Sequence, residues 1–256
     1  MPVRFASLGS GSKGNSAVFD DGVTRLLIDL GFSLKETLAR LSRLRLSPEN
    51  IDGILVTHEH ADHVHGVGVF ARKYHIPVFL THGSYNSKQI GDIPVLKKIN
   101  CGQNFEVGSV EVQSVPVPHD AKEPCQYVLT SQNISVGVLT DLGHITQHVK
   151  ASYRNCDALL LEFNHDLEML RNGPYSDLLK RRISSDFGHL NNLQASEFLR
   201  NLDLDCLKHL VISHLSEKNN SLNLARAVAS KELEGWDGLI SVADQKSGFD
   251  WINVAI

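Results

Sequence analysis

No part of this 256-residue chain carries the roughly 18 consecutive apolar residues that a membrane helix needs, so a membrane-spanning role is not expected. The opening stretch, MPVRFASLGSGSKGNS, lacks the apolar segment of a secretory signal, and the expected location is the cytoplasm. Cysteine is scarce. Cys101, Cys125, Cys156 and Cys206 stand singly with no C-x-x-C, which excludes a disulfide framework and reads as reduced thiols filling small apolar sites. Surplus positive charge is also missing: 25 Lys and Arg face 29 Asp and Glu, for a net charge of -4. A phosphate-rich partner would therefore need a local basic patch, not a general coat. Linkers, low-complexity tracts and repeats are absent, and one domain over residues 1–256 is the simplest organisation. With 42% apolar and 21% charged residues, the chain has ordinary globular chemistry and length enough for a real core.

What the chain does have is crowded histidine. Residues 56–66, VTHEHADHVHG, hold four histidines and an aspartate. The surrounding pattern mixes strands and helices in both halves. VRFASLG reads as a first strand, followed by a flexible loop from Gly9 to Ser16 and a hairpin turning at Asp21-Gly22. Leucines at helical spacing over 33–46, behind Ser33 as N-cap, predict a helix. IDGILVTH is a buried strand, with a helix in HGVGVFARKYH behind it and a strand in IPVFLTH. Residues 104–142 alternate as a run of strands, and CDALLLEFN and KHLVISH are further strands. Helices are expected at 174–183, 191–201 and in SLNLARAVASKEL, and GLISVA with FDWINVAI closes the chain. The pattern indicates sheets covered by helices, an α/β fold.

The motif H58-E-H60-A-D62-H63 leaves a strand at Thr57. His58 and His60 project to the same side of an extended segment, because side chains alternate with period two. Asp62 and His63 then sit where a helix begins, so two pairs of ligands face one volume. Imidazole nitrogen with carboxylate oxygen suits zinc, manganese or iron. One turn cannot complete two coordination shells. His119 in VPVPHD, Asp141 ending ISVGVLTD and His214 ending KHLVISH each follow an apolar strand, where loop residues gather over a sheet edge. His65 and His75 lie nearby and read as ordinary helix residues.

This order of motifs resembles the metallo-β-lactamase-fold hydrolases: H-x-H-x-D-H, then a later histidine, an aspartate and a last histidine. The resemblance covers nearly the whole chain. It implies an αβ/βα four-layer sandwich, two mixed β-sheets flanked by helices, holding two divalent ions, Zn2+ or Mn2+. In such a site His58, His60 and His119 hold one metal, Asp62, His63 and His214 the other, and Asp141 bridges them. Asp29, in LLIDLG, supports the histidine loop from behind without binding metal. SLGSGSKGNS, TDLGH, EFNHD, NGPYSDLLKRRISSDFGHLNN and SHLSEKNN are similar to the YycJ-like (WalJ-like) branch of the fold, linked to exonuclease activity on DNA. The stretch from GHLNN to SHLSEKNN also resembles tRNA 3′-processing endonucleases and related phosphodiesterases. There a histidine placed like His189, about two dozen residues before the last metal histidine, touches the scissile phosphate. The chain is too short for the extra domain of β-CASP nucleases, and it has no glycine-rich arm of the kind that grips tRNA.

The resemblance implies phosphodiester hydrolysis, with DNA as the expected partner and Asp62 and His189 as catalytic residues. Paired divalent ions activate water and clamp phosphoryl oxygens, and His189 would donate a proton or hydrogen bond in the transition state. Ser12, Lys13, Asn15, His144, Asn164 and His165 are candidate substrate contacts. The Gly9–Ser16 loop reads equally as a phosphate grip or as a tight turn needing glycine. Lys180, Arg181 and Arg182, with Arg171 and the Arg40, Arg43, Arg45 helix face, read either as a backbone-tracking patch or as a solvated face. Other readings of the ligand set are a small-molecule (cyclic nucleotide) phosphodiesterase, a glyoxalase-type thioester hydrolase, and a non-catalytic metal protein. No pattern in the chain points to an oligomeric state.

Overall fold

The structure, a computed structural model, describes residues 2–254. Its first half runs β1 (Arg4–Gly9), β2 (Ser16–Asp20), β3 (Arg25–Ile28), α1 (Leu34–Arg43), β4 (Gly53–Leu55), α2 (Ala61–Val64), α3 (Val67–Tyr74), β5 (Val78–Thr81), α4 (Ser87–Ile90) and β6 (Leu96–Ile99). Then follow β7 (Asn104–Val107), β8 (Val110–Pro116), β9 (Cys125–Ser131), β10 (Ile134–Leu139), α5 (Gln147–Tyr153), β11 (Ala158–Glu162), α6 (Leu167–Asn172) and α7 (Asp177–Ile183). The chain continues through α8 (Asn192–Leu199), β12 (His209–Ser213), α9 (Leu222–Glu232), β13 (Leu239–Val242) and β14 (Phe249–Asn253).

The strands form two seven-stranded sheets, ordered β14-β1-β2-β3-β4-β5-β6 and β13-β12-β11-β10-β9-β8-β7. Each sheet has an antiparallel flank, β14 to β3 or β7 to β10, that gives way to a parallel one. The parallel strands near the middle, β4, β11 and β12, are buried at every position, which explains their unbroken apolar runs. Three cores separate the layers. Phe5, Tyr127, Leu160 and Val211 pack between the sheets. Leu27, Leu41, Ile54 and Phe70 pack beneath α1 and α3. Tyr153, Leu159, Phe198 and Ala225 pack beneath α5, α8 and α9. Helices, sheet, sheet and helices are thus stacked in the four layers expected.

Several local features differ from the sequence expectation. Helices α4, α5 and α6 span four to seven residues, too short for a helical period to declare itself. The helix expected from 174 starts at Asp177, where Ser176 caps it by accepting from Leu179 N. The Gly9–Ser16 loop is tied down: Asn15 Oδ1 accepts from Gly11 N, Gln245 Oε1 accepts from Lys13 N, and Asn15 N donates to Asp62 O. Of the closing strand expected through residue 256, the last two residues lie outside the described residues. Among the described residues, no helix is long and apolar enough to cross a membrane. All four cysteines are free thiols.

The parallel strands point their C-terminal ends at one edge of the sandwich. There the chain turns sharply. Asp29 after β3, Asp141 after β10 and His214 after β12 all take left-handed backbone conformations, with φ of 59°, 53° and 52°. For non-glycine residues this is strained and typical of functional sites.

Candidate metal centre

Five strand ends supply the site: Asp29 from β3, His58 from β4, Asp141 from β10, Glu162 from β11 and His214 from β12. The loop after β4 adds His60, Asp62 and His63, with His60 as the N-cap of α2. The loop after β8 adds His119, and the segment before α8 adds His189. Two glycines let backbones approach. A Cβ on Gly31 would lie 1.8 Å from Asp62 O, and one on Gly188 would lie 2.2 Å from Ile183 O.

The imidazoles share a common design. Five of the six, all but His60, are held through one ring nitrogen by a protein group, which sets orientation and tautomer. His63 Nδ1 lies 2.8 Å from Asp29 Oδ2, and Asp29 also accepts from Thr57 N and Thr57 Oγ1, both at 2.8 Å. His58 Nδ1 meets Thr57 Oγ1 at 2.9 Å. His119 Nδ1 donates to Gly188 O at 3.1 Å. His214 Nδ1 and His189 Nδ1 both lie on Glu162 Oε1, at 2.7 and 2.8 Å. The opposite nitrogens converge on a common volume. His58 Nε2 and His214 Nε2 are buried with no hydrogen-bond partner, and so is Asp141 Oδ2, although His63 Nε2 stands 3.2 Å away.

Buried polar atoms left unpartnered at the centre of a ligand cluster are what a metal site presents without its ion. His58, His60 and His119 have ligand atoms within 4.8 Å of one another; so do Asp62, His63 and His214. Asp141 joins His58 and His63 in a third such group, and Glu162, His189 and His214 in a fourth. The donor set therefore fits divalent metal ions, with Asp141 common to two of the groups.

Electrostatics follow from this packing. Burial, reinforced by His63, drives the His58 pKa well below that of a free imidazole. At His63, burial pushes the same way but is outweighed by Asp141, Asp29 and Asp62, which hold its pKa well above the usual value. Burial is likewise outweighed at His214, raised to about 9 by Asp141 and Glu162. Glu162, despite burial, is held down at about 2 by His189 and His214, and Glu162 in turn raises His189 against its own burial. Metal loading would displace the protons these rings hold.

A cleft of about 200 Å3 opens from this cluster. Asp62, His189 and His214 form its floor, and Ser12, Asn164, Tyr175, Leu179, Arg182 and Ile183 are among its walls. The substrate candidates thus separate. Ser12 and Asn164 line the cleft. Lys13 is committed to Glu217 at 2.6 Å, and Asn15 Nδ2 turns to His63 Nε2 at 3.1 Å. His144 Nδ1 holds Asp186 O at 2.9 Å, and His165 is fully buried, its pKa lowered by burial to about 4. The basic helix face is also spoken for: Arg40 donates to the carbonyls of Leu8 and Lys246, and Arg43 donates to Ser7 O.

Two site residues escape the sequence reading. Glu162 ends the apolar run ALLLE, the same signal that marks Asp29 and Asp141. Asp120, directly after His119, has Oδ1 3.4 Å from His119 Nε2 and accepts from Arg182 Nε through Oδ2.

Residues 24–215 match the beta-lactamase superfamily domain. Over 238 residues the chain is 40% identical to the exodeoxyribonuclease YycJ of Bacillus anthracis, covering 91% of this chain and 90% of that one. It is 36% identical to the exodeoxyribonuclease WalJ of Streptococcus pneumoniae over 236 residues, 90% of this chain and 88% of the other. The metallo-beta-lactamase fold protein YhfI from Bacillus subtilis superposes with a TM-score of 0.76 at 17% identity, over 98% of this chain and 99% of that one.

Proposed function

The chain belongs to the beta-lactamase superfamily, and from that premise we propose that it is a dinuclear, metal-dependent exonuclease acting on DNA. The observation that carries the reading is the set of inward-facing, unpartnered ligand atoms beside His189, at the floor of an open cleft. His58, His60 and His119 would hold one divalent ion, zinc or manganese, and Asp62, His63 and His214 the other, with Asp141 available to both. When bound, such ions lower the pKa of water and offset charge on phosphoryl oxygens.

The protein's own groups supply the rest. Glu162 binds Nδ1 of both His189 and His214, so a single buried carboxylate orients a metal ligand and a catalytic histidine together. His189 keeps Nε2 for the cleft, where it passes a proton to the departing oxygen. Asp29 fixes His63 and, through Thr57, the strand end that carries His58. The nucleic-acid substrate is supported by two relatives named as exodeoxyribonucleases at 36–40% identity over about nine-tenths of the chain.

The test is cleavage of end-labelled single- and double-stranded DNA with zinc or manganese, with His60→Ala alongside. The expected result is stepwise loss of nucleotides by the wild type and none by the variant. Fully metal-loaded protein that leaves every DNA end intact would overturn the reading.

A further inference from the structure

Helix α7 presents apolar side chains where it has no core to fill. It carries Leu178, Leu179 and Ile183, yet none of its residues is buried. Leu179 and Ile183 are one turn apart, on one face of the helix. Both line the cleft, with Arg182 and the preceding Tyr175. The same cleft is lined by Ser12, Asn164 and Ser216 and by Asp62, His189 and His214 of the metal cluster. Its lining thus combines an aromatic and aliphatic part from Tyr175 and α7, a polar part, and the metal centre.

We infer that this cleft is a subsite for one terminal nucleotide, its base laid against Tyr175, Leu179 and Ile183 and its phosphate met by Arg182. The inference rests on the nuclease reading above and adds where the chain end sits. A nucleobase has apolar faces and a polar edge. Its face suits the α7 wall, and its edge suits Asn164, which gives Nδ2 to His214 O and keeps its side-chain carbonyl as an acceptor. Tyr175 has Lys218 Nζ 5.7 Å from its ring centroid, a contact that steadies the ring for stacking. Arg182 is anchored by Nε on Asp120, so its remaining N–H groups are pre-positioned beside the metal cluster for a phosphate oxygen. The cleft's 200 Å3 falls short of the roughly 300–1,000 Å3 typical of pockets that enclose drug-sized ligands. That is room on the scale of a single base, which suits the end of a chain.

Two measurements test this. The first compares metal-loaded protein on matched DNAs whose terminal residue, at the 3′ or the 5′ end, is either an ordinary nucleotide or an abasic deoxyribose. Loss of one base stack lowers kcat/KM by about 5- to 150-fold, so the wild type should favour the base-bearing end by that factor. Tyr175→Ala and Leu179→Ala should narrow the preference, and Tyr175→Phe should restore it. Tyr175 and Leu179 are half-buried and lie outside the core clusters, so these variants should stay folded and melt close to the wild type. The second is calorimetric binding of deoxyadenosine monophosphate, with and without metal, which should weaken in both alanine variants. DNA cleavage indifferent to the terminal base, with unchanged mononucleotide affinity in the variants, overturns the subsite and leaves the nuclease reading standing. No DNA cleavage, with mononucleotide binding lost in the variants, removes the nuclease reading and upholds the subsite.

Discussion

Replacing Glu162 with glutamine changes one atom and should disable two histidines. Glu162 is fully buried and faces only donors: His189 Nδ1 at 2.8 Å, His214 Nδ1 at 2.7 Å, Leu142 N at 3.3 Å and Leu190 N at 3.2 Å. A carboxylate can accept from all four. Glutamine cannot, because its NH2 must point at a donor or displace it. At least one charge-assisted hydrogen bond is lost, worth about 1.5–3 kcal/mol, or roughly a 10- to 150-fold effect. Losing a group that orients a metal ligand ordinarily lowers metal affinity or activity by about 10- to 100-fold, so two independent estimates agree. The assay is zinc affinity by competition with a chromophoric chelator, together with the rate on end-labelled DNA. The variant should bind zinc 10- to 100-fold more weakly by that estimate, while circular dichroism remains native. Wild-type zinc affinity and rate in Glu162→Gln would refute the reasoning.

His189→Ala should keep its metal, since His214 retains Glu162, but lose about 100- to 10,000-fold in rate; metal analysis beside kinetics decides this, and a full rate would remove His189 from the chemistry. Asp21 ties the hairpin turn of one sheet to the other by accepting from Ser109 Oγ at 2.5 Å and Ser131 Oγ at 2.7 Å. Burial would raise its pKa, but these hydroxyls and the Thr24 and Val23 amides lower it. Its contribution is therefore present above the unfolded aspartate pKa of about 3.9 and fades as pH falls through the lower folded value. In chelator, Asp21→Asn should shift the urea midpoint at neutral pH and converge on wild type in acid, and a constant gap would contradict this. At Asp141, whose φ is 53°, Asp141→Gly should exceed Asp141→Ala in metal-free stability by about 1 kcal/mol. Both remove the same carboxylate, so an alanine variant equal or better in urea would show that the left-handed turn carries no strain.

How much of this was legible in the sequence depends on how far apart the partners lie. The strands and long helices follow from period and length, and the four-layer arrangement follows from the resemblance that the motif order carries. His58, His119, Asp141 and His214 are marked because each follows an apolar strand, and His60, Asp62 and His63 because they crowd the turn after His58; the sheets deliver them to one edge. Glu162 bears that same mark in ALLLE, but nothing local distinguishes a carboxylate that binds imidazole from one that faces water. Lys13 and Arg40 illustrate the opposite limit. In the sequence each is open to a phosphate-contact reading beside a plainer one, but their partners, Glu217 for one and the Lys246 carbonyl for the other, lie more than two hundred positions away. The segment before β14, which pairs with β1, carries the Arg40 partner, and the loop after β12 in the other sheet carries the Lys13 partner. Sequence spacing thus finds groups that act from rails the sheet itself provides. Groups whose charge is consumed by the closure of the sandwich become visible only once the sheet is assembled. The apolar side of α7 is hidden for a related reason: that Leu179 and Ile183 line a cleft and not the core shows only in the assembled fold.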